Sequence, residues 1–299
     1  MLLTPQLERR LGQMTLGQVR TDDGVTLHLQ TFGHGPAIVF GNGIGVRYPG
    51  ALRQMEALRD AYQVICWDYR GIGQSVMPDV EGDVSMPRHA RDILAILDHL
   101  GIERAIFVGW SMGVQVSLEA IRLQPGRVAG LVALLGTYGQ PFRTAFPAPV
   151  GESLEGLFRL LHRYPAVAQG ALDLAVALPD VAFAVLSRLL FVGADADREV
   201  FAANVRSVAG VEKRLYLRTM LALAAHDASD VLPTVRCPTL IVCGERDHLT
   251  PPRVARQMAD AIAGAEYREV PRGTHFALIE QPERINVWLR ELAQRVYGT

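Results

Sequence analysis

At 299 residues, 49% of them hydrophobic, the chain is long enough to bury a full core, and one α/β domain with an insertion is expected rather than two independent domains. Thirty Lys and Arg stand against 31 Asp and Glu, a balance that excludes the electrostatic footprint of a nucleic-acid-binding protein. The three cysteines, Cys66, Cys237 and Cys243, are too few and too embedded in strand-like runs for a disulfide framework or a zinc site. They read as small buried hydrophobes in a reducing compartment, and a cytoplasmic location is expected.

In chain order, Glu8, Arg9 and Arg10 interrupt the apolar run that a secretory leader would need near the N-terminus. The apolar, β-branched run Ala37-Ile38-Val39-Phe40 predicts a strand, and Gly41-Asn42-Gly43-Ile44-Gly45 a glycine-rich turn after it. Trp67-Asp68-Tyr69-Arg70-Gly71-Ile72-Gly73-Gln74-Ser75 follows; its Gly71-Ile72-Gly73 lacks the rest of a dinucleotide fingerprint, so no nucleotide cofactor is implied. Next come a strand at Ala105-Ile106-Phe107-Val108, the pentapeptide Gly109-Trp110-Ser111-Met112-Gly113, and a helix-like run from Val114 to Leu123. A serine between a strand end and a helix start must sit on a tight turn, and the glycines two before and two after it let the backbone fold that sharply. The hydroxyl is thereby pushed out of the chain path, beside the unpaired N–H groups that open a helix.

Alternation of strand and helix continues to Gly130–Leu135, which predicts a doubly wound, mostly parallel sheet. The pattern then changes. Pro141, Pro147 and Pro149 make a hinge-like stretch, and helix-period segments run from about Glu152 to Asp227. The expected organisation is therefore a core over 1–136, an inserted α-helical cap over 137–227 and a second core part over 228–299. Within the cap, Ala166-Val167-Ala168, Leu172, Leu174 to Leu178 and Val181 to Phe191 are apolar on more than one face, either packing on the core or lining a greasy cavity. Pro165 to Gly193 is interrupted by Asp173, Pro179, Asp180 and Arg188, short of the roughly 18 uncharged residues of a membrane span.

Strand signals return at Cys237–Gly244, followed by Glu245-Arg246-Asp247-His248, and at Glu266–Val270, followed by Pro271-Arg272-Gly273-Thr274-His275. Carboxylates just beyond a strand end lie on the loop edge where open parallel sheets bind ligands. Asp247 and Glu245 both qualify as the acid. His275 is set apart from His28, His34, His89, His99, His162 and His226 by its strand-then-glycine setting, and its competitor is His248.

The order Ser111, Asp247, His275 is that of an α/β-hydrolase, and from about residue 20 to the C-terminus the chain resembles that superfamily. Besides the Ser111 elbow, Asp68 to Ser75 looks like its D-x-R-G-x-G-x-S loop, and Gly244–Asp247 and Gly273–Phe276 look like its acid and histidine loops. The resemblance implies a nucleophile at Ser111, a base at His275, an acid at Asp247, and an oxyanion hole from the N–H groups of Met112 and Ile44. It departs at Asn42, where relatives usually carry His, and at Val114, where many carry a small residue. Trp110 and Asn42 are candidate substrate contacts, with Trp110 equally readable as core.

The expected activity is cleavage of a carboxylic ester or lactone of an apolar small molecule through an acyl-enzyme, without metal or organic cofactor, by a monomer or homodimer. Carbon–carbon bond hydrolysis and cofactor-free perhydrolysis use the same triad, and a non-catalytic ligand receptor is the rival of another class. Epoxide hydrolases and haloalkane dehalogenases place an aspartate at the elbow, so Ser111 argues against both.

Overall fold

A computed structural model describes residues 14–298 apart from 80, 165, 168, 171, 172, 174–176 and 190. Glu8, Arg9 and Arg10, and Ala168, Leu172, Leu174, Ala175, Val176 and Leu190 of the apolar cap segments, lie outside the described residues. Eight strands, β1 (Met14–Arg20), β2 (Thr26–Phe32), β3 (Ala37–Gly41), β4 (Gln63–Trp67), β5 (Ala105–Trp110), β6 (Val128–Leu134), β7 (Thr239–Gly244) and β8 (Glu266–Val270), form one sheet in the order β1-β2-β4-β3-β5-β6-β7-β8. β2 is antiparallel to both its neighbours, β1 and β4, and the remaining pairs are parallel. Every residue of β3, β5, β6 and β7 is buried. Helices cover both faces there, which is why these strands read as continuous hydrophobic runs rather than alternating ones.

The core helices are α1 (Leu52–Leu58), α2 (Met86–His99) and α3 (Met112–Leu123), followed between β6 and β7 by α4 (Pro141–Ala145), α5 (Ala148–Arg163), α6 (Pro179–Arg188), α7 (Arg198–Ala209) and α8 (Lys213–Ala225). After β7 come α9 (Pro252–Ala261), α10 (Ala277–Glu280) and α11 (Pro282–Tyr297). Two clusters fill the core, one on each sheet face: Ile93, Val116 and Met258 bring in α2, α3 and α9, while Leu52, Met55, Leu289 and Leu292 bring in α1 and α11.

The helical insertion leaves and re-enters the core through one paired neck. Gly139 and Asp227 form an antiparallel bridge, the Gln140 N–H donates to the His226 carbonyl at 2.8 Å, and the Ala228 N–H donates to that of Tyr138 at 3.0 Å. The His226 ring then reaches α3, with Nε2 2.8 Å from Glu119 Oε1 and Nδ1 2.6 Å from Gln115 Oε1. The neck is thus pinned to the helix that opens at Ser111.

The apolar surplus of the insertion is divided between the core and the surface, with Phe183 in a core cluster and Leu186 packed against it. Val167, Leu178, Val181, Val185 and Leu189 are exposed, by 48 to 65%, whereas Phe183 is buried against Phe201 with ring centroids 5.2 Å apart. A single helical layer cannot bury every face of a helix that is apolar all round. Among the described residues, no helix is long and apolar enough to cross a membrane.

Candidate active site

Ser111 lies where β5 hands over to α3, with φ 55° and ψ −113°, a conformation that non-glycine residues rarely adopt. Its neighbours make that turn possible. A Cβ on Gly109 would stand 2.3 Å from the Gly113 carbonyl oxygen, and one on Gly113 would stand 2.2 Å from that of Gly41, so neither position accepts a side chain. The bulk of Val114 beside the elbow is matched by Gly136, where a Cβ would meet Val114 Cγ2 at 2.4 Å. The missing small residue on the helix is answered by one after β6.

Ser111 Oγ is 3.1 Å from His275 Nε2, and His275 Nδ1 is 2.9 Å from Asp247 Oδ2. Asp247, 1% exposed, lies on the loop after β7; its Oδ1 accepts from the N–H groups of Leu249 and Thr250, both at 2.8 Å, and its Oδ2 also accepts from Thr250 Oγ1 at 2.7 Å. Three donors fix the orientation of this carboxylate, and as the acceptor facing His275 it places the imidazole proton on Nδ1 and leaves Nε2 to accept from Ser111. The His275 loop is fixed from both sides. Trp110 Nε1 donates to the His275 carbonyl at 3.3 Å. Glu280 takes the preceding residue: its Oε2 accepts from the Thr274 N–H at 2.9 Å and its Oε1 from the Thr274 hydroxyl, while the same Oε1 accepts from the Gly193 N–H at 2.6 Å.

The competing residues point elsewhere. Glu245 is exposed and accepts from the Arg272 N–H, and His248 is exposed. Of the remaining histidines, His89 is buried edge-on against Tyr69; neither ring nitrogen has a hydrogen bond among the described residues, and Nδ1 lies 3.9 Å from Asp92 Oδ2.

Ile44 and Met112 flank Ser111. Met112 opens α3, so its N–H is one of the four that the first turn leaves free. Ile44 lines the cavity beside Ser111, and Gly43 comes so close that a Cβ there would be 3.5 Å from Ser111 Cβ. The loop is anchored without a histidine: Tyr69 Oη donates to the Asn42 carbonyl at 3.0 Å, and the Val46 N–H to that of Gly43 at 3.1 Å. Asn42 is corrected as a substrate contact. It is 1% exposed, its amide group has no hydrogen-bond partner, and it is not among the residues lining the cavity. In the loop resembling D-x-R-G, Asp68 accepts from Arg47 Nε at 2.9 Å and Arg70 forks onto Asp92 at 2.8 and 2.6 Å, both as buried pairs behind the site.

Above Ser111 is a cavity of about 250 Å³. Phe142, Phe146, Val208, Tyr216, Met220 and Leu223 reach it from the insertion, and Ile44, Val46, Trp110 and Phe276 from the core. Trp110 is thus at once core, at 2% exposure, and cavity wall. No Asp, Glu, Lys or Arg lines the space among the described residues.

Sequence reasoning missed Thr250, Glu280 and Tyr216. Tyr216, Met220 and Leu223, at i, i+4 and i+7, form a stripe on α8, but nothing in the sequence says that the stripe faces a cavity.

A model of the α/β hydrolase fold matches residues 36–282. The chain is 31% identical over 269 residues to 3-oxoadipate enol-lactonase 1 of Acinetobacter baylyi, covering 87% of this chain and 90% of that protein. Among solved structures it is similar to the enol-lactonase from Burkholderia xenovorans LB400, with TM-score 0.74, 25% identity and coverage of 93% and 100%. It also shares the fold of an esterase from Thermogutta terrifontis, with TM-score 0.75, 23% identity and coverage of 95% and 99%. The chain belongs to the α/β-hydrolase family and is an enzyme of the hydrolase class.

Proposed function

We propose that the protein is a serine hydrolase that cleaves a small, uncharged carboxylic ester or lactone through an acyl-enzyme. The observation that carries this reading is the unbroken line Ser111 Oγ, His275 Nε2 and Nδ1, Asp247 Oδ2, with steps of 3.1 and 2.9 Å, at the floor of an apolar cavity. His275 takes the serine proton as Oγ attacks the carbonyl, and Asp247 stabilises the resulting imidazolium. The N–H groups of Ile44 and Met112 receive the oxyanion. His275 then protonates the departing alkoxide, accepts a proton from water in the second half-reaction, and returns it to Ser111 as the acid leaves. A lactone follows the same course, with its alcohol tethered to the acyl chain.

The enol-lactonase relatives support the ester and lactone classes. Among the described residues no Asp, Glu, Lys or Arg lines the cavity, which favours a neutral substrate, since an unpaired carboxylate in such a site is strongly disfavoured. Residues 137–227 act on this reading as the cap that encloses the acyl or alcohol chain, and 1–136 with 228–299 as the catalytic core. A fluorophosphonate should modify the enzyme once, at Ser111, as read by intact mass and peptide mapping, and p-nitrophenyl esters of graded acyl length should show an optimum set by the cavity. Folded protein that takes no label and turns over no ester overturns the proposal.

A further inference from the structure

The strong hydrogen-bonding side chains that line the cavity are Ser111, His275, Thr250, Trp110 and Tyr216. Four of them are committed: Ser111 and His275 to each other, Thr250 to Asp247, and Trp110 to the His275 carbonyl. Tyr216 is left over. Its hydroxyl forms no hydrogen bond among the described residues, and burial alone pushes the phenol up to about 12, so it stays a neutral donor across the working range.

Its position is also informative. The ring lies against the loop after β3, where a Cβ on Gly45 would stand 3.0 Å from Tyr216 Cε2 and 3.2 Å from Cδ2, and Gly45 directly follows Ile44. The phenol therefore sits in the cavity wall next to the loop whose N–H is proposed to receive the oxyanion. Tyr216 is half-buried, so a ligand that fills the cavity takes water from its hydroxyl; a ligand that supplies an acceptor restores the lost hydrogen bond, whereas a hydrocarbon of the same shape does not.

We propose that Tyr216 selects the substrate by donating a hydrogen bond to a second, uncharged oxygen, an ether, carbonyl or hydroxyl oxygen near the scissile carbonyl, so that oxygen-bearing esters and lactones are preferred to plain hydrocarbon ones. This rests on the serine hydrolase reading above and narrows its substrate class. Acting on an oxygen other than the reacting ones, Tyr216 is on this proposal a specificity residue rather than a catalytic one.

The test compares matched p-nitrophenyl esters in which one methylene is replaced by oxygen: methoxyacetate against butanoate, and 3-methoxypropanoate against pentanoate. The ratio of kcat/KM within each pair is measured for the parent enzyme and for Tyr216→Phe, which makes the result independent of the active fraction and of the intrinsic reactivity of the esters. Tyr216→Leu serves if the Phe variant is insoluble. In at least one pair the ether-to-alkyl ratio should fall about five-fold on losing the hydroxyl, the value of one net neutral hydrogen bond, while Met220→Leu, on the same wall, leaves it unchanged. Ratios equal in parent and variant overturn the proposal. So does an equal slowing of all four esters, which would make the phenol a general support of the reaction, or an equal shift in Met220→Leu, which would make the effect one of packing. If the parent hydrolyses none of the four, the selection is overturned; if the folded parent also takes no fluorophosphonate label, the serine hydrolase reading fails with it.

Discussion

Glu280 should be replaceable by glutamine only at a cost to both stability and turnover. One carboxylate accepts the Thr274 N–H at 2.9 Å, the Thr274 hydroxyl, and the Gly193 N–H at 2.6 Å, and so ties the residue before His275 to the insertion. Glutamine keeps one oxygen and turns the other into a donor. Whichever way the amide is flipped, one of the two main-chain N–H groups loses its acceptor, and Thr274 is 2% exposed, too buried for water to substitute readily. Losing one bond to a charged acceptor costs about 1.5–3 kcal/mol. At roughly 2–4 °C per kcal/mol for a chain of this size, the melting temperature should fall by about 3–12 °C. The rate follows from geometry. Displacing a catalytic group by about 1 Å costs on the order of 100-fold, but Asp247 and Trp110 still hold His275, so a fall in kcat of about ten-fold is expected, with KM less affected. Thermal unfolding and steady-state ester hydrolysis measure both, with Glu283→Gln as control because its carboxylate is 78% exposed. A Glu280→Gln enzyme with parental melting temperature and kcat refutes the reasoning.

Ser111→Ala and His275→Ala should each lower kcat by about 10³-fold or more, and near-parental turnover in purified Ser111→Ala would remove the acyl-enzyme from consideration. Asp247→Asn should cost about 10³–10⁴-fold by losing control of the imidazole tautomer, while Glu245→Gln and His248→Ala leave kcat unchanged; the reverse ranking would reassign the acid. Burial, reinforced by Arg70, pushes His89 down to about 3, whereas an unfolded histidine titrates near about 6.5. Between those values the unfolded chain binds a proton that the folded chain refuses, so this contribution to stability is whole above about pH 6.5 and is lost as pH falls toward 3, by at most about 1.4 kcal/mol per pH unit. His89→Phe should flatten the dependence of unfolding free energy on pH between 6.5 and 4, and identical slopes in the two proteins would count against the assignment.

Much of the fold was legible because the central strands are buried on both faces. β3, β5, β6 and β7 therefore appear as short apolar runs ending in glycine or turn residues, and their alternation with helices implies a parallel sheet. The elbow was legible because its constraint is local: Gly109 and Gly113 are needed within two residues of Ser111 by backbone contacts. The insertion was legible as helical from its prolines and its period, but its apolar residues did not say which of them line the cavity. Phe142 and Phe146, from the hinge-like stretch, and Tyr216, Met220 and Leu223 line it, whereas Val181, Val185 and Leu189 face out. Hydrophobicity says that a face is apolar, not which neighbour covers it.

The sequence by itself determined the family, the sheet, and the serine at the strand-to-helix turn, because each depends on residues close together in the chain or on a pattern repeated along it. Only the tertiary structure decided which of Glu245 and Asp247 meets His275, that Asn42 is shut away while Tyr69 anchors its loop, that Gly136 makes room for Val114, and that Glu280 holds the histidine loop to the insertion. Those pairings join segments brought together by chain folding or turn on the direction of one side chain within a loop, and neither leaves a mark in local propensity or period. The Tyr216 phenol, without a hydrogen bond among the described residues, belongs to the same class: its meaning lies in what surrounds it, which no stretch of sequence contains.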